Sequence, residues 1–119
     1  MPDASELEVL SVSTTLGSLA AADQLGREIL TRRLAACVQM EEGLLSRYHW
    51  NGQLCEEPEV RLVIKTLPAC AAALQALFAE HHPYDVPQFL AVTMSASPDY
   101  AAWLRSEVTV PEAVADPRS

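Results

Sequence analysis

The sequence is short of glycine and of positive charge. Its 119 residues include only four glycines, and neither the GxGxxG nor the GxxxxGK[ST] pattern occurs, which excludes the common loops that cradle phosphate. Lys and Arg together number 8 against 16 Asp and Glu, so the net charge is −8. Nucleic acids and anionic membranes are bound through basic surfaces. We therefore expect neither of them as a partner.

Cysteines are few, and no long apolar run is present. Cys37, Cys55 and Cys70 are odd in number and form no CxxC pair, which argues against a disulfide framework or a zinc knuckle. No apolar stretch approaches the roughly 20 residues of a membrane span. The first eight residues carry three acids and no Lys or Arg, unlike a signal peptide. These features predict a cytoplasmic protein with reduced thiols.

Half of the residues are hydrophobic, which is enough for one well-formed core. The pattern predicts strands over residues 7–14, 36–50, 59–66 and 89–96, and helices over 19–34, from Pro68 to Pro83, and from Ser97-Pro98 onward. The order βαββαβ predicts an α+β, ferredoxin-like sandwich with a C-terminal helix. We expect a single domain over residues 1–108 and a disordered tail over 109–119.

The predicted hairpin in the middle of the chain is too long for a monomer. Asn51-Gly52 is a strong hairpin turn signal, and Glu41-Glu42-Gly43 predicts a bend or bulge in the first arm. Each arm runs for roughly 15 residues, against about 5–6 in an ordinary strand. A four-stranded sheet cannot cover such arms, so their exposed edges favour pairing with further copies of the chain.

Catalysis finds little support in the pattern. The only catalytic pair that the sequence could form has a Cys as nucleophile and a His as base, and the sequence indicates no third group that would orient the pair. Cys70 lies on the apolar stripe of the second helix, where a buried thiol is the usual outcome. We therefore expect a binding protein and not an enzyme.

Metal ligands are also sparse. His81 and His82 are adjacent, so on a helix they point about 100° apart, and no HxxxH pattern is present. His81 continues the stripe of Leu74, Leu77 and Phe78, which leaves open that it is a packed core histidine. The acids Glu56, Glu57 and Glu59 suit a hard cation or simply form a solvated edge.

Aromatic residues cluster near the hairpin turn. Tyr48 and Trp50 share one strand face, and His49 points away from them. We expect Tyr48, Trp50 and Tyr84 to line either a pocket or a subunit interface, and the interface is the simpler interpretation.

Five short motifs follow one another along the chain. They are LAACV at Leu34–Val38, YxWxG at Tyr48–Gly52, the E-V to K-T strand at Glu59–Thr66, HHPYxxP from His81 to Pro87, and YxxW at Tyr100–Trp103. Together they resemble the CutA family of divalent-ion-tolerance proteins. The match is collinear from about Val9 to Val108. The resemblance implies a cytoplasmic, non-catalytic homotrimer with paired hairpins, linked to copper and divalent-cation tolerance.

The resemblance also implies a copper site, which this chain retains only in part. The family's Cys near the end of the first strand is replaced by Thr14, and its Glu after the HHPY segment is replaced by Gln88. His81 is the one matching ligand. Because a hydroxyl and an amide are poor ligands for copper, we expect copper or another divalent cation to bind weakly.

A second interpretation is a regulatory module similar to the trimeric PII signalling proteins, which bind a small effector between subunits. Lys65, Trp50 and Tyr84 would then line the inter-subunit cleft, and Cys37 and Tyr48 complete the set expected at that cleft or interface. This analogy rests on fold alone.

Overall fold

The computed structural model describes residues 3–111. A 3-10 turn (Ala4–Leu7) precedes the main elements, which are β1 (Glu8–Leu16), α1 (Leu19–Thr31), β2 (Cys37–Trp50), β3 (Gln53–Thr66), α2 (Ala71–His81), β4 (Leu90–Ser95) and α3 (Pro98–Glu107). A second 3-10 turn, Pro68–Cys70, leads into α2. The predicted βαββαβ order with a final helix is confirmed.

The four strands form one antiparallel sheet in the order β2-β3-β1-β4. Even-numbered residues of β1 and β3 point to one face, where Val12 lies opposite Ile64. Helices α1 and α2 cover that face, and the core between them includes Ile29 and Leu74, both fully buried. Burial of such side chains is worth about 1.5–3 kcal/mol each, which makes this layer the main source of stability.

Helix α1 begins as the sequence predicts and ends earlier. The Ser18 hydroxyl accepts a hydrogen bond from the Ala21 amide and caps the first turn. The helix stops at Thr31, not at Leu34 as predicted, because Arg33 adopts a left-handed conformation with φ 58°. Leu34 then turns back to the sheet, where its carbonyl accepts a hydrogen bond from the buried Thr66 hydroxyl.

Helix α3 packs against the opposite face of the sheet, at one end. Val9 and Leu67 point to that face and form a small cluster with Leu104 and Cys70, which is fully buried as predicted. Thr109, in the predicted tail, donates a backbone hydrogen bond to the Arg33 carbonyl. The rest of the predicted disordered tail, from residue 112 on, lies outside the described residues.

The central hairpin extends well beyond the sheet. Strand β3 pairs with β1 only over Val60–Thr66, so its first seven residues, Gln53–Glu59, pair with β2 alone. Seven residues of strand correspond to a projection of about 20 Å. The turn residues Asn51 and Gly52 both have positive φ, as a type I′ turn requires. We call Leu44–Glu59 the hairpin overhang.

Two groups of exposed, large apolar side chains lie on the strands. On the hairpin overhang, Leu45, Trp50 and Leu54 are 55%, 47% and 70% exposed. On β4, Leu90 and Val92 point away from the two helices and are 56% and 60% exposed. Within residues 3–111, no helix is both long enough and apolar enough to cross a membrane.

Candidate functional site

A β-bulge places the hairpin aromatics on one face. The β2–β3 register shifts between Glu41 and Leu44, where Gly43 has φ 87°, so the predicted bulge is confirmed. After the shift, Tyr48 lies opposite Cys55 and Trp50 lies opposite Gln53. Because side chains alternate along a strand, these residues point away from the helix-covered face of the sheet, and His49 points the other way.

A cavity of about 500 Å³ lies where the hairpin overhang meets the segment that follows α2. The hairpin supplies aromatic, thiol and acidic side chains, and the segment after α2 supplies Tyr84 and its neighbours. The lining residues are Thr15, Tyr48, Trp50, Cys55, Glu57, Glu59, Pro83, Tyr84, Asp85, Val86 and Gln88. The cavity volume falls within the usual range for small-molecule sites, about 300–1,000 Å³.

Glu59 and Tyr84 join the two walls of this cavity. The Tyr84 hydroxyl donates a 2.8 Å hydrogen bond to Glu59 Oε2, and Glu59 is only 8% exposed. Burial, followed by the hydrogen bond to the Glu59 carboxylate, raises the pKa of Tyr84 well above its usual value. Tyr84 therefore stays a neutral hydrogen-bond donor at all physiological pH values.

Tyr48 has a similar electrostatic environment. Its pKa is raised, first by loss of solvent and then by the neighbouring Glu57 carboxylate. The cavity thus carries two neutral tyrosines and several acids, which disfavours bound anions.

A buried polar pair, Thr14 and His82, holds the backbone of Tyr84 in place. Thr14 is fully buried, and its Oγ1 lies 2.9 Å from Nε2 of His82, which is 7% exposed. The Tyr84 amide donates to Nδ1 of the same ring at 3.1 Å, so the proton of the neutral imidazole resides on Nε2 and is donated to Thr14. Burial lowers the pKa of His82. The ring is therefore neutral at pH 7 and fixes the start of the Tyr84 segment.

His81 does not occupy the place that its helical spacing suggested. It is the last residue of α2 and is exposed, with Nε2 3.2 Å from Arg32 Nη2 and 3.7 Å from Glu80 Oε2. The interpretation of His81 as a packed core histidine is wrong, because His82 is the buried one. The reason is Pro83, which disfavours helical geometry at the residue before it and sends the His82 ring inward.

The residues weighed as metal ligands are dispersed. Thr14 contacts His82, His81 lies in solvent, and Gln88 lines the cavity. Residues 3–111 hold no group of three or more His, Cys, Asp or Glu side chains arranged to bind a metal ion. The assignment of His81 as a weak copper ligand stays a prediction.

The five residues expected at a cleft or interface divide into two places. Tyr48, Trp50 and Tyr84 line the cavity. Cys37 and Lys65 are paired across β2 and β3 at the other end of the ladder. Ten residues of β3 separate Lys65 from Cys55, a distance of about 30 Å along the strand.

Glu57 and Glu59 were weighed only as ligands of a hard cation or as a solvated edge, and Asp85 was not singled out, so none of the three was expected at this cavity. The alternation along β3 was a usable signal, because it places Glu57 and Glu59 on the strand face of Tyr48 once the bulge is counted. The contact between Glu59 and Tyr84, 25 residues apart, has no such signal.

Comparisons with known proteins agree on one family. The family model described as CutA1 divalent ion tolerance protein matches residues 10–107. The divalent-cation tolerance proteins CutA of Citrobacter koseri and Salmonella newport are each 34% identical over 107 residues, covering 89% of this chain and 93% of theirs.

Solved structures give the same result. The CutA1 structure from Oryza sativa has a TM-score of 0.83 at 29% identity and covers 88% of this chain and 97% of its own. The divalent cation tolerance protein from Thermus thermophilus has a TM-score of 0.81 at 31% identity, covering 85% and 99%. The α+β fold, with its four antiparallel strands and three helices, is thus common to this chain and these structures.

Proposed function

The chain belongs to the CutA1 divalent ion tolerance protein family, and from this premise we propose that it is a cytoplasmic, non-catalytic homotrimer with a weak site for copper or another divalent cation. Assembly is the part of this proposal with the most direct structural support. The weak metal site and the absence of catalysis rest on the chemistry of particular side chains.

The hairpin overhang is the observation that carries the proposal. Its seven β3 residues pair with β2 alone, and its apolar side chains Leu45, Trp50 and Leu54 lie in solvent. The free edge of such a ribbon offers unpaired backbone donors and acceptors to another chain. The uncovered apolar face of β4 adds a second surface of the same kind. Copies that bury both surfaces gain stability by the hydrophobic effect.

Weak metal binding follows from the ligand chemistry. The Thr14 hydroxyl is already bound to His82, Gln88 offers a neutral amide, and His81 is a single exposed imidazole. Tight binding of a transition metal ordinarily needs three or four converging donors, some of them anionic. His81 alone therefore supports only low affinity.

The surroundings of the thiols support a non-catalytic role. Cys70 is fully buried in an apolar cluster. The thiols of Cys37 and Cys55 donate weak hydrogen bonds to the backbone carbonyls of Val38 and Gln53, at 3.9 and 3.8 Å. None of these contacts is with a histidine, which a Cys nucleophile requires as its base.

A second candidate function is the binding of a small effector, as in the PII-like interpretation. The observation in its favour is the cavity, which three of the five expected cleft residues line. This candidate is compatible with a trimer and independent of the metal site.

Calorimetric titration with Cu(II) tests the metal proposal. We expect weak binding by the wild-type protein, further weakened in His81→Ala and unchanged in His49→Ala, which removes another histidine on a strand of the overhang. Tight stoichiometric binding by the wild type would contradict a weak site. Equal binding by His81→Ala and the wild type would remove His81 from the metal site altogether.

A further inference from the structure

We propose that the cavity between the hairpin overhang and the Tyr84 segment binds a small organic ammonium ion, held by the Glu59 carboxylate and by the rings of Tyr48 and Tyr84. This inference rests on the effector-binding candidate of the proposed function and names the chemical class of the effector. It does not depend on the metal site at His81.

The charge of the lining selects a cation. Glu57, Glu59 and Asp85 supply three carboxylates, and the lining that residues 3–111 provide includes no Lys, Arg or His. Such a wall repels phosphates and carboxylates and concentrates cations. Nucleotides and acidic metabolites are accordingly poor candidates for this cavity.

Glu59 shows where the positive charge belongs. It is more than nine-tenths buried, and its single side-chain hydrogen bond within the described residues runs from Tyr84 to Oε2. None of the described residues forms an ion pair with it within 4.0 Å, whereas Glu56, the acid three positions earlier, is paired with Arg47 at 2.8 Å. A buried carboxylate without a countercharge is costly. A bound cation supplies the missing charge.

The form of the cavity favours an organic cation over a metal ion. Its acids and Cys55 are not among any group of three or more His, Cys, Asp or Glu side chains arranged around one metal position in residues 3–111. The volume of about 500 Å³ is larger than a single ion fills. Aromatic rings attract an ammonium within about 6 Å of the ring centre, and Pro83 and Val86 add apolar surface for its alkyl part.

Calorimetry on the full-length protein tests the proposal. The probes are n-butylammonium chloride and tetramethylammonium chloride, with 1-butanol as the neutral analogue and sodium chloride at matched ionic strength as the control. We expect saturable binding of at least one of the two ammonium salts at one site per chain. We expect 1-butanol to bind at least about tenfold more weakly and sodium chloride to give no saturable heat.

Matched variants locate the site. Glu59→Gln keeps the size of the side chain and an acceptor for Tyr84, and we expect it to weaken ammonium binding about tenfold. Glu56→Gln removes the same charge on the other face of β3, and its affinity should equal that of the wild type. If Glu59→Gln does not fold, as judged by its thermal melt, Asp85→Asn on the opposite wall replaces it, with an expected loss of about two- to fivefold.

Three results would overturn the proposal: no saturable binding of either ammonium salt, equal binding of 1-butanol, or equal losses in Glu59→Gln and Glu56→Gln. These failures can be told from failure of the proposed function, because light scattering on the same samples reports the number of chains in the assembly. An intact trimer that binds no ammonium rejects this inference alone. A monomer rejects the proposed assembly.

Discussion

Replacing Trp50 by alanine should weaken self-association far more than it weakens the fold of the single chain. Trp50 is next to the hairpin turn and is 47% exposed in the isolated chain. Taking a tryptophan as about 250 Å², about 120 Å² of it is available for burial by a partner. At about 25 cal/mol per Å², complete coverage is worth about 3 kcal/mol per chain and about 9 kcal/mol per trimer.

This energy translates into a large shift in the concentration at which trimers dissociate. About 9 kcal/mol changes the trimer association constant by between six and seven orders of magnitude. Because the midpoint concentration varies as the inverse square root of the association constant, it should rise by about a thousandfold or slightly more. Sedimentation velocity on a dilution series from micromolar to nanomolar measures the midpoint directly.

Trp103→Ala is the matched control, since Trp103 is 44% exposed but lies on α3, away from the hairpin overhang. We expect its dissociation midpoint to equal that of the wild type. If Trp50→Ala dissociates at the same concentration as the wild type, the tryptophan is not covered by a partner, and assembly through the hairpin overhang is refuted.

Two further predictions concern the single chain. Burial lowers the pKa of His82, so on acidification the unfolded chain takes up a proton near pH 6.5 before the folded chain does. The free energy of unfolding should therefore be constant above about pH 7.5 and fall as the pH drops through 6.5. It should level off below the pKa that His82 has in the folded chain. Urea unfolding across this pH range should show the full decrease in the free energy of unfolding for the wild type and for His81→Gln, and a smaller decrease for His82→Gln. An equal pH dependence in all three proteins would show that His82 is not the group responsible. Gly52→Ala should lower the free energy of unfolding by about 1–2 kcal/mol, because φ at this residue is +76°. Nothing lies within 4 Å of an added Cβ, so the loss comes from the backbone conformation and not from a steric clash. Gly17→Ala, whose Cβ would meet only the Tyr84 hydroxyl at 3.6 Å, is its control in chemical denaturation, and equal stabilities of the two variants would show that the turn carries no strain.

The fold was largely predictable because its signals are local. Asn51-Gly52 defines the hairpin, Gly43 permits the bulge, and Ser18 and Ser97 cap helices at the expected positions. The errors are at helix ends. Helix α1 ends three residues early through Arg33, a left-handed residue that is not glycine and so leaves no mark in the sequence.

The candidate site was predictable only in part. Tyr48, Trp50 and Tyr84 were expected together and line one cavity. His81 was wrongly interpreted as the core histidine. Pro83 was a usable signal, because the residue before a proline disfavours helical geometry and the backbone therefore changes direction at His82. Glu59 was considered only as part of an acidic group, and its burial beside Tyr84 was not expected, because the proximity of these two residues comes from the tertiary fold alone.

Native mass spectrometry of the protein, purified without added metal, shows whether the chain assembles into a trimeric binding module. It reports the number of chains and any retained ion or small molecule in one spectrum. We expect a species of three 13.0 kDa chains that carries no stoichiometric copper. A spectrum dominated by single chains at micromolar concentration would contradict it, because the hairpin overhang would then remain exposed in solution.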